Sequence, residues 1–532
     1  MSSSNGTTVI RHAPLVGYPD DKLYTVRVVD GVVESIDEES EGKHINGYDK
    51  AAAEEIDLGG KEWLSPSMID WHVHVKLQAL HSNRIDLQKC QSASEVLEVV
   101  KLALNDPRYD SKQEKNLVGI NMRNSNWPDE NFLTKEKLNE ISPNRPLFLL
   151  FNGYHSMRCN SLALKQTKFG ENEKEHDGFL VEQDAFDTFP ILTTANDQVI
   201  DNWILQEGKK AATMGVTEIV DLEMEHNIVQ WQRRYKNGNN YLRVHVGMYT
   251  EHLKDAIELG LTSGDDIPNT DGLMKVGPYK IVTDGSLGSQ TAFCHDHYPG
   301  NKSNFGIYYY EPKKLSELIE YGLKYNFKFA IHAIGDKANH LSLKTISEAS
   351  SKPRKGSTIE HAQMLNLQTI SIIDEKTGKV KEHNDLELFK QLDLIASIQP
   401  CHLVDDRDLC HKFWPGREHK AYPFKSIVKA GIPIKLGSDA PVSPMNPWEA
   451  LAVSVTRAGE NDEHNPFIKD EILDLEVAWK ASTSNGKSRL EVGERADLCI
   501  LQSDPLKQNA AGLRAMQVNG TMLGGRWTYR NF

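Results

Sequence analysis

The chain has 532 residues, and 61 Lys and Arg against 75 Asp and Glu give a formal net charge of −14. That balance argues against a nucleic-acid footprint, which needs clustered positive charge. A hydrophobic fraction of 39%, with nine Trp, 16 Phe and 17 Tyr, excludes wholesale disorder and supplies a sizeable core. The length fits three or four domains, or one large barrel with additions.

The amino-terminal stretch has no apolar run of signal-peptide type, and nowhere do about 18 apolar residues follow one another. The six cysteines, Cys90, Cys159, Cys294, Cys401, Cys410 and Cys499, stand singly with no C-x-x-C pair. The expectation is a protein with no membrane span, living in a reducing compartment and most simply cytoplasmic.

Residues 25–29 and 32–36 alternate around Asp30-Gly31, the signature of a β-hairpin with a tight turn. Strand-like runs return at 496–501, 516–518 and 526–529, and chain ends often lie close together. The two ends, 1–64 and 485–532, therefore predict one small composite β domain. Between them, short apolar runs ending in polar residues recur at 67–70, 216–221, 242–247, 279–284, 327–332, 357–361, 394–398 and 432–439. Helical patterns such as 314–323 lie between most of them. Eight strands alternating with helices predict a parallel sheet closed as a (β/α)8 barrel, over 65–90 and 206–484.

One gap breaks the rhythm. The interval between the first two runs is too long for a loop and holds strand-like pieces at 116–120 and 146–151. It predicts an inserted α/β subdomain at 91–205, leaving from the barrel end where catalytic loops sit, and so a candidate lid.

Residues two apart on a strand share a face, so His72 and His74 can aim both imidazoles at one ion. With 20 histidines in the chain, an H-x-H alone is weak. Position strengthens it. His332 and His361 each end a predicted strand, Asp439 ends the last, and Lys280 lies within the fourth among apolar neighbours. Ligand-type residues thus fall on five strands, all at one end of one barrel.

Several stretches resemble the amidohydrolase superfamily, and within it the YtcJ-like or amidohydrolase-3 family that includes N-substituted formamide deformylases. They are IDWHVH at 69–74, YHSMRCNSLAL at 154–164, YKIVTDGSLGSQTA at 279–292 and AIHAIGDKA at 330–338. IEHAQ at 359–363, SIQP at 397–400, LGSDAPV at 436–442 and VGERADLCIL at 492–501 continue the pattern. The resemblance implies that His72, His74, His332 and His361 hold one or two divalent ions and that Lys280 bridges them as a CO2 adduct. Asp439 would ligate as well, taking a proton from the bridging water and passing it to the leaving nitrogen. Zinc suits imidazole, carboxylate and carbamate ligands best, with iron and manganese as alternatives.

The same stretches nominate substrate contacts: His155 and Asn160 from the insert, Asp284 from the glycine-rich loop after the fourth strand, and Gln399 and His402 after the seventh. Asp70 is expected to orient a strand-one histidine. The implied function is hydrolysis of a carbon–nitrogen bond in a small non-peptide amide, of the N-formyl or N-acyl amine class. A cyclic amidase or deaminase on the same barrel is the alternative, and a non-catalytic scaffold is disfavoured because all six ligand positions are filled. Such barrels often pair into homodimers, but no stretch specifies an interface.

Overall fold

The fold is taken from a computed structural model, which describes residues 6–39, 53–112, 114–122, 127, 129, 132–151, 156–181, 183–192, 196–373, 380–462 and 466–532. The chain divides into two compact units, one of Met1–His74 with Gly208–Phe532 and one of Val75–Glu207.

The first unit holds eight parallel strands: β1 (Met68–Val73), β2 (Val216–Asp221), β3 (Arg243–Met248), β4 (Met274–Val282), β5 (Phe329–Ala333), β6 (Thr358–His361), β7 (Ile395–Ile398) and β8 (Ile434–Leu436). Their spatial order follows the chain, with β1 at one edge and β8 at the other. These edges then meet. Asp439 N donates to His72 O at 2.7 Å, His74 N donates to Ala440 O at 2.9 Å, and Val73 bridges Ala440 in parallel register. The sheet closes as the expected (β/α)8 barrel. A Cβ built on Gly437 would fall 2.7 Å from the Cβ of His72, so the closing approach of β8 to β1 needs a glycine there.

Helices cover the outer face, and the strands are accordingly buried along most of their length: all six residues of β2 are buried, its polar ones included. Register fixes what the interior sees. Lys280 stands beside Ala330 and Thr358, and one layer further along Val282 stands beside His332 and Glu360. Polar side chains on one interior face at successive strand ends are what bring a site together.

The chain ends form two four-stranded sheets. One runs Val32–Glu38, Tyr24–Val29, Thr7–Ala13, Ala53–Asp57, with Val29 opposite Val32 across the Asp30-Gly31 turn. The other pairs Trp63–Pro66 antiparallel to Leu498–Leu501, so residues from both ends share one core that includes Ile10, Val26, Leu64, Leu498 and Met522. The composite β domain is thus a matter of direct strand pairing. Ser67, just before β1, ties this corner to the barrel through Thr217 Oγ1 at 2.6 Å and Ser484 Oγ at 2.8 Å.

The second unit carries a five-stranded sheet in the order Phe179–Val181, Ser156–Cys159, Leu147–Phe151, Leu117–Met122, Ile85–Asp86. Apolar clusters form on it around Leu117, Leu147 and Leu149 and around Phe148, Leu150 and Leu180, as alternation along Leu147–Phe151 requires. Among the described residues, no helix is long and apolar enough to cross a membrane, and all six cysteines are buried free thiols.

Candidate metal centre

His72, His74, Lys280, His332, His361, His402 and Asp439 converge at the carboxyl ends of the barrel strands. The His72 ring lies 5.5 Å from that of His74 and 5.1 Å from that of His361, and His361 lies 4.4 Å from His332 and 5.9 Å from His402. Asp439 sits between them. Its Oδ1 is 3.4 Å from His72 Nε2 and 3.3 Å from His74 Nε2, and its Oδ2 is 3.7 Å from His402 Nε2. Lys280 Nζ reaches to 3.3 Å from His72 Nε2.

Two of these residues are held in unusual backbone conformations. His361 has φ 70° and Asp439 φ 57°, left-handed values that cost a residue other than Gly or Asn on the order of 1 kcal/mol or more. At Asp439 the twist follows from the hydrogen bond its amide gives to His72 O. At His361 it breaks strand alternation. Glu360 and His361 would otherwise point to opposite faces, yet both side chains reach the same interior, where Glu360 Oε2 accepts from His72 Nδ1 at 2.7 Å.

That contact with Glu360 sets the chemistry of His72. With Nδ1–H donated to a carboxylate, the Nε2 lone pair is left facing Asp439. The His72 lone pair and a carboxylate oxygen thus meet at 3.4 Å, a pairing of acceptors that a cation resolves. Buried atoms with no hydrogen-bond partner point the same way: His74 Nδ1, His332 Nε2, His361 Nδ1 and His402 Nε2. Leaving such groups dry and unpaired costs free energy, about 1–3 kcal/mol each. The donor atoms group as His72, His74, Asp439 and as His361, His402, Asp439, each set lying within 4.8 Å. The residues fit one or two divalent ions.

Electrostatics keep these groups in ligand form. Burial, then the neighbouring Lys280, holds His332 down to about 3, and burial with His332 beside it holds His361 well below an ordinary histidine. Burial likewise lowers the Lys280 amine, favouring the neutral form. Burial works against ionised Asp439, yet the His72, His74 and His361 rings outweigh it and hold the carboxyl well below its usual range. His74 moves the other way: burial lowers it, and Asp439 more than compensates.

Of the remaining sequence candidates, Gln399 and Asp284 border the centre, while Asn160 is committed to backbone. His155 lies outside the described residues. Asn160, fully buried in the second unit, spends its amide on backbone groups of residues 142–147 and of Ala163. Its Oδ1 accepts from Leu147 N and Ala163 N, and its Nδ2 donates to Ser142 O and Arg145 O. No polar valence is left for a substrate, a correction to the expected contact.

Asp284 borders the centre, with Oδ1 3.5 Å from His332 Nε2, and also ties two loops together. It accepts from Phe293 N at 2.9 Å, Ile334 N at 3.0 Å and Gly335 N at 2.8 Å, while burial pushes its carboxyl up to about 7. Gln399 packs beneath the centre, with Nε2 3.3 Å from His72 Nδ1 and donating to Ser397 O at 3.2 Å. Asp70 holds backbone instead of an imidazole, accepting from His72 N at 3.1 Å and Ser438 N at 2.9 Å. Glu360 is what grips the ring. The sequence carries one signal for it, an acid beside His361 in IEHAQ, which strand alternation sets on the opposite face from His361.

Comparison with known proteins places this geometry in a class. The model of the amidohydrolase family, Amidohydro_3, matches residues 54–529, so the chain belongs to the amidohydrolase family, hydrolases of carbon–nitrogen bonds that depend on metal. Among its relatives, YtcJ of Bacillus subtilis is 25% identical across 96% of each chain. N-substituted formamide deformylase of Arthrobacter pascens is 26% identical across 91% of each. A crystal structure of a metal-dependent hydrolase from Pyrococcus furiosus shares the fold, with a TM-score of 0.74 and 22% identity over 94% of this chain and all of that one.

Proposed function

We propose that this protein hydrolyses the carbon–nitrogen bond of a small non-peptide amide of the N-formyl or N-acyl amine class. The observation that carries the reading is the set of buried, unpartnered imidazole nitrogens gathered around one ionised carboxylate. The relation to an N-substituted formamide deformylase over nine-tenths of both chains supports the choice of amide.

In this reading His72, His74, His332, His361 and Asp439 hold the metal, zinc by donor type, with Lys280 as its CO2 adduct. A bound divalent ion acidifies water to a pKa near 7 and polarises a carbonyl oxygen. The rest falls to the chain. Glu360 fixes the His72 tautomer, so that ring can only accept at Nε2. Asp439, ionised at neutral pH, takes the proton of the attacking water. When the carbon–nitrogen bond opens, the same carboxyl returns that proton to the nitrogen, which leaves as a neutral amine. His402, across Asp439 from His74, is placed to steady the second carboxylate oxygen or the substrate carbonyl. The inserted segment at 91–205 and the terminal pieces 1–64 and 485–532 are read as additions to a hydrolase barrel at 65–90 and 206–484. Buried free thiols support a reducing, cytoplasmic setting.

Protein purified without chelator should carry one to two equivalents of zinc, iron or manganese and release formate or a carboxylic acid from N-substituted formamides or acetamides. Metal-free protein, or metal-loaded protein that leaves every such amide intact, would overturn the reading. Labelled bicarbonate should give a carbamate carbon signal by NMR that disappears in Lys280→Met.

A further inference from the structure

We propose that His226, His252 and Asp255 form a second, peripheral site for a divalent transition-metal ion of the zinc class, on the barrel rim and separate from the candidate centre. The three residues come from two neighbouring loops at the same end of the barrel. His226 lies five residues beyond β2 and precedes the helix Asn227–Lys236, for which it provides no side-chain cap, so its imidazole is not spent on helix amides. His252 closes the short turn Thr250–His252 that follows β3, and Asp255 lies in the first turn of the helix Leu253–Glu258.

The side chains meet. His226 Nδ1 is 2.9 Å from Asp255 Oδ2, and the rings of His226 and His252 lie 4.1 Å apart at 51°. One ligand atom from each falls within 4.8 Å of the other two. A tetrahedral ion with bonds of roughly 2.0–2.2 Å draws its ligands to roughly 3.3–3.5 Å from one another, a small side-chain adjustment for three groups this close.

A histidine–aspartate ion pair explains two of the residues and leaves the third. His252 Nδ1 is buried with no hydrogen-bond partner among the described residues, although its ring lies tilted against another imidazole. Two protonated rings at that distance would repel. That leaves a buried ring nitrogen of His252 beside His226 and Asp255 for a ligand to occupy. Two imidazoles and one carboxylate, open to solvent on the His226 side, suit zinc, cobalt or nickel with water completing the shell, and suit calcium or magnesium poorly. An ion here joins the loop after β2 to the loop after β3.

The test uses the full chain, stripped of metal and then titrated with zinc alone, with bound equivalents counted by mass spectrometry and calorimetry. The wild type should bind one zinc per chain more than His226→Ala/His252→Ala, and saturating zinc should raise its melting temperature further. Asp255→Asn, which keeps the shape of the cluster, should bind that last zinc at least tenfold more weakly. His72→Ala should lose zinc from the centre while the rim equivalent stays. Equal stoichiometry and equal zinc-dependent melting in wild type and the double variant would overturn the site. If the double variant fails to fold by circular dichroism, unchanged zinc affinity in Asp255→Asn would overturn it as well.

Discussion

Two buried polar clusters, one where the barrel strands end and one around Asn160 in the Val75–Glu207 unit, are similarly dry, and their hydrogen bonds close differently. Asn160 has each amide atom matched to backbone groups, those of Ser142, Arg145, Leu147 and Ala163. At the barrel end, His74, His332, His361 and His402 each keep a buried nitrogen with no hydrogen-bond partner among the described residues, His332 Nε2 and His402 Nε2 having only carboxylate oxygens at 3.5 and 3.7 Å. Folding stability rewards the first arrangement and penalises the second, so the second persists only where something beyond folding occupies it. Burial does not separate these clusters; unmet valence does.

The contrast is sharpest at Asp439. Replacing it with Asn keeps the shape and removes the proton acceptor, so kcat should fall by about 10²–10⁴-fold while metal content stays largely intact. Turnover within a few-fold of wild type would remove Asp439 from proton transfer and weaken the case that unmet valence marks chemistry. His72→Ala should strip metal and activity together, measured by metal analysis on folded protein, because no other residue occupies its place between Glu360 and Asp439. Full metal in that variant would take His72 out of the ligand set.

Glu360→Gln is the intermediate case. The ring of His72 loses its charged anchor but keeps its lone pair, so metal affinity should drop by about 10–100-fold in a chelator competition with the fold unchanged. An unaltered affinity would mean the ring is held by packing alone. At the other cluster, Asn160→Ala should lower stability by about 1–3 kcal/mol in denaturant unfolding and leave kcat/KM within twofold. A rise in KM without loss of stability would restore Asn160 as a substrate contact and collapse the comparison.

The eight barrel strands were legible because they are largely buried and read as short runs rich in apolar residues that end in polar ones, as Phe329, Ala330 and Ile331 do before His332. His72, His74, Lys280, His332, His361 and Asp439 stood out as ligand types at strand ends, and the structure brings all six together with His402. Glu360 was not legible. Period-two alternation turns it away from His361, and only the left-handed backbone at His361 defeats that rule. Asp70 illustrates the converse, an acid beside the histidines whose carboxylate goes to main-chain amides.

By itself, then, the sequence determined the barrel, the pairing of the two chain ends and the residue types that gather at the strand ends, since these follow from local periodicity and from which side chains water excludes. What each polar group does there was decided only by the tertiary structure. A hydrogen-bond partner is chosen by distance and direction among residues hundreds of positions apart, as Glu360 chooses His72, and no local pattern encodes that choice.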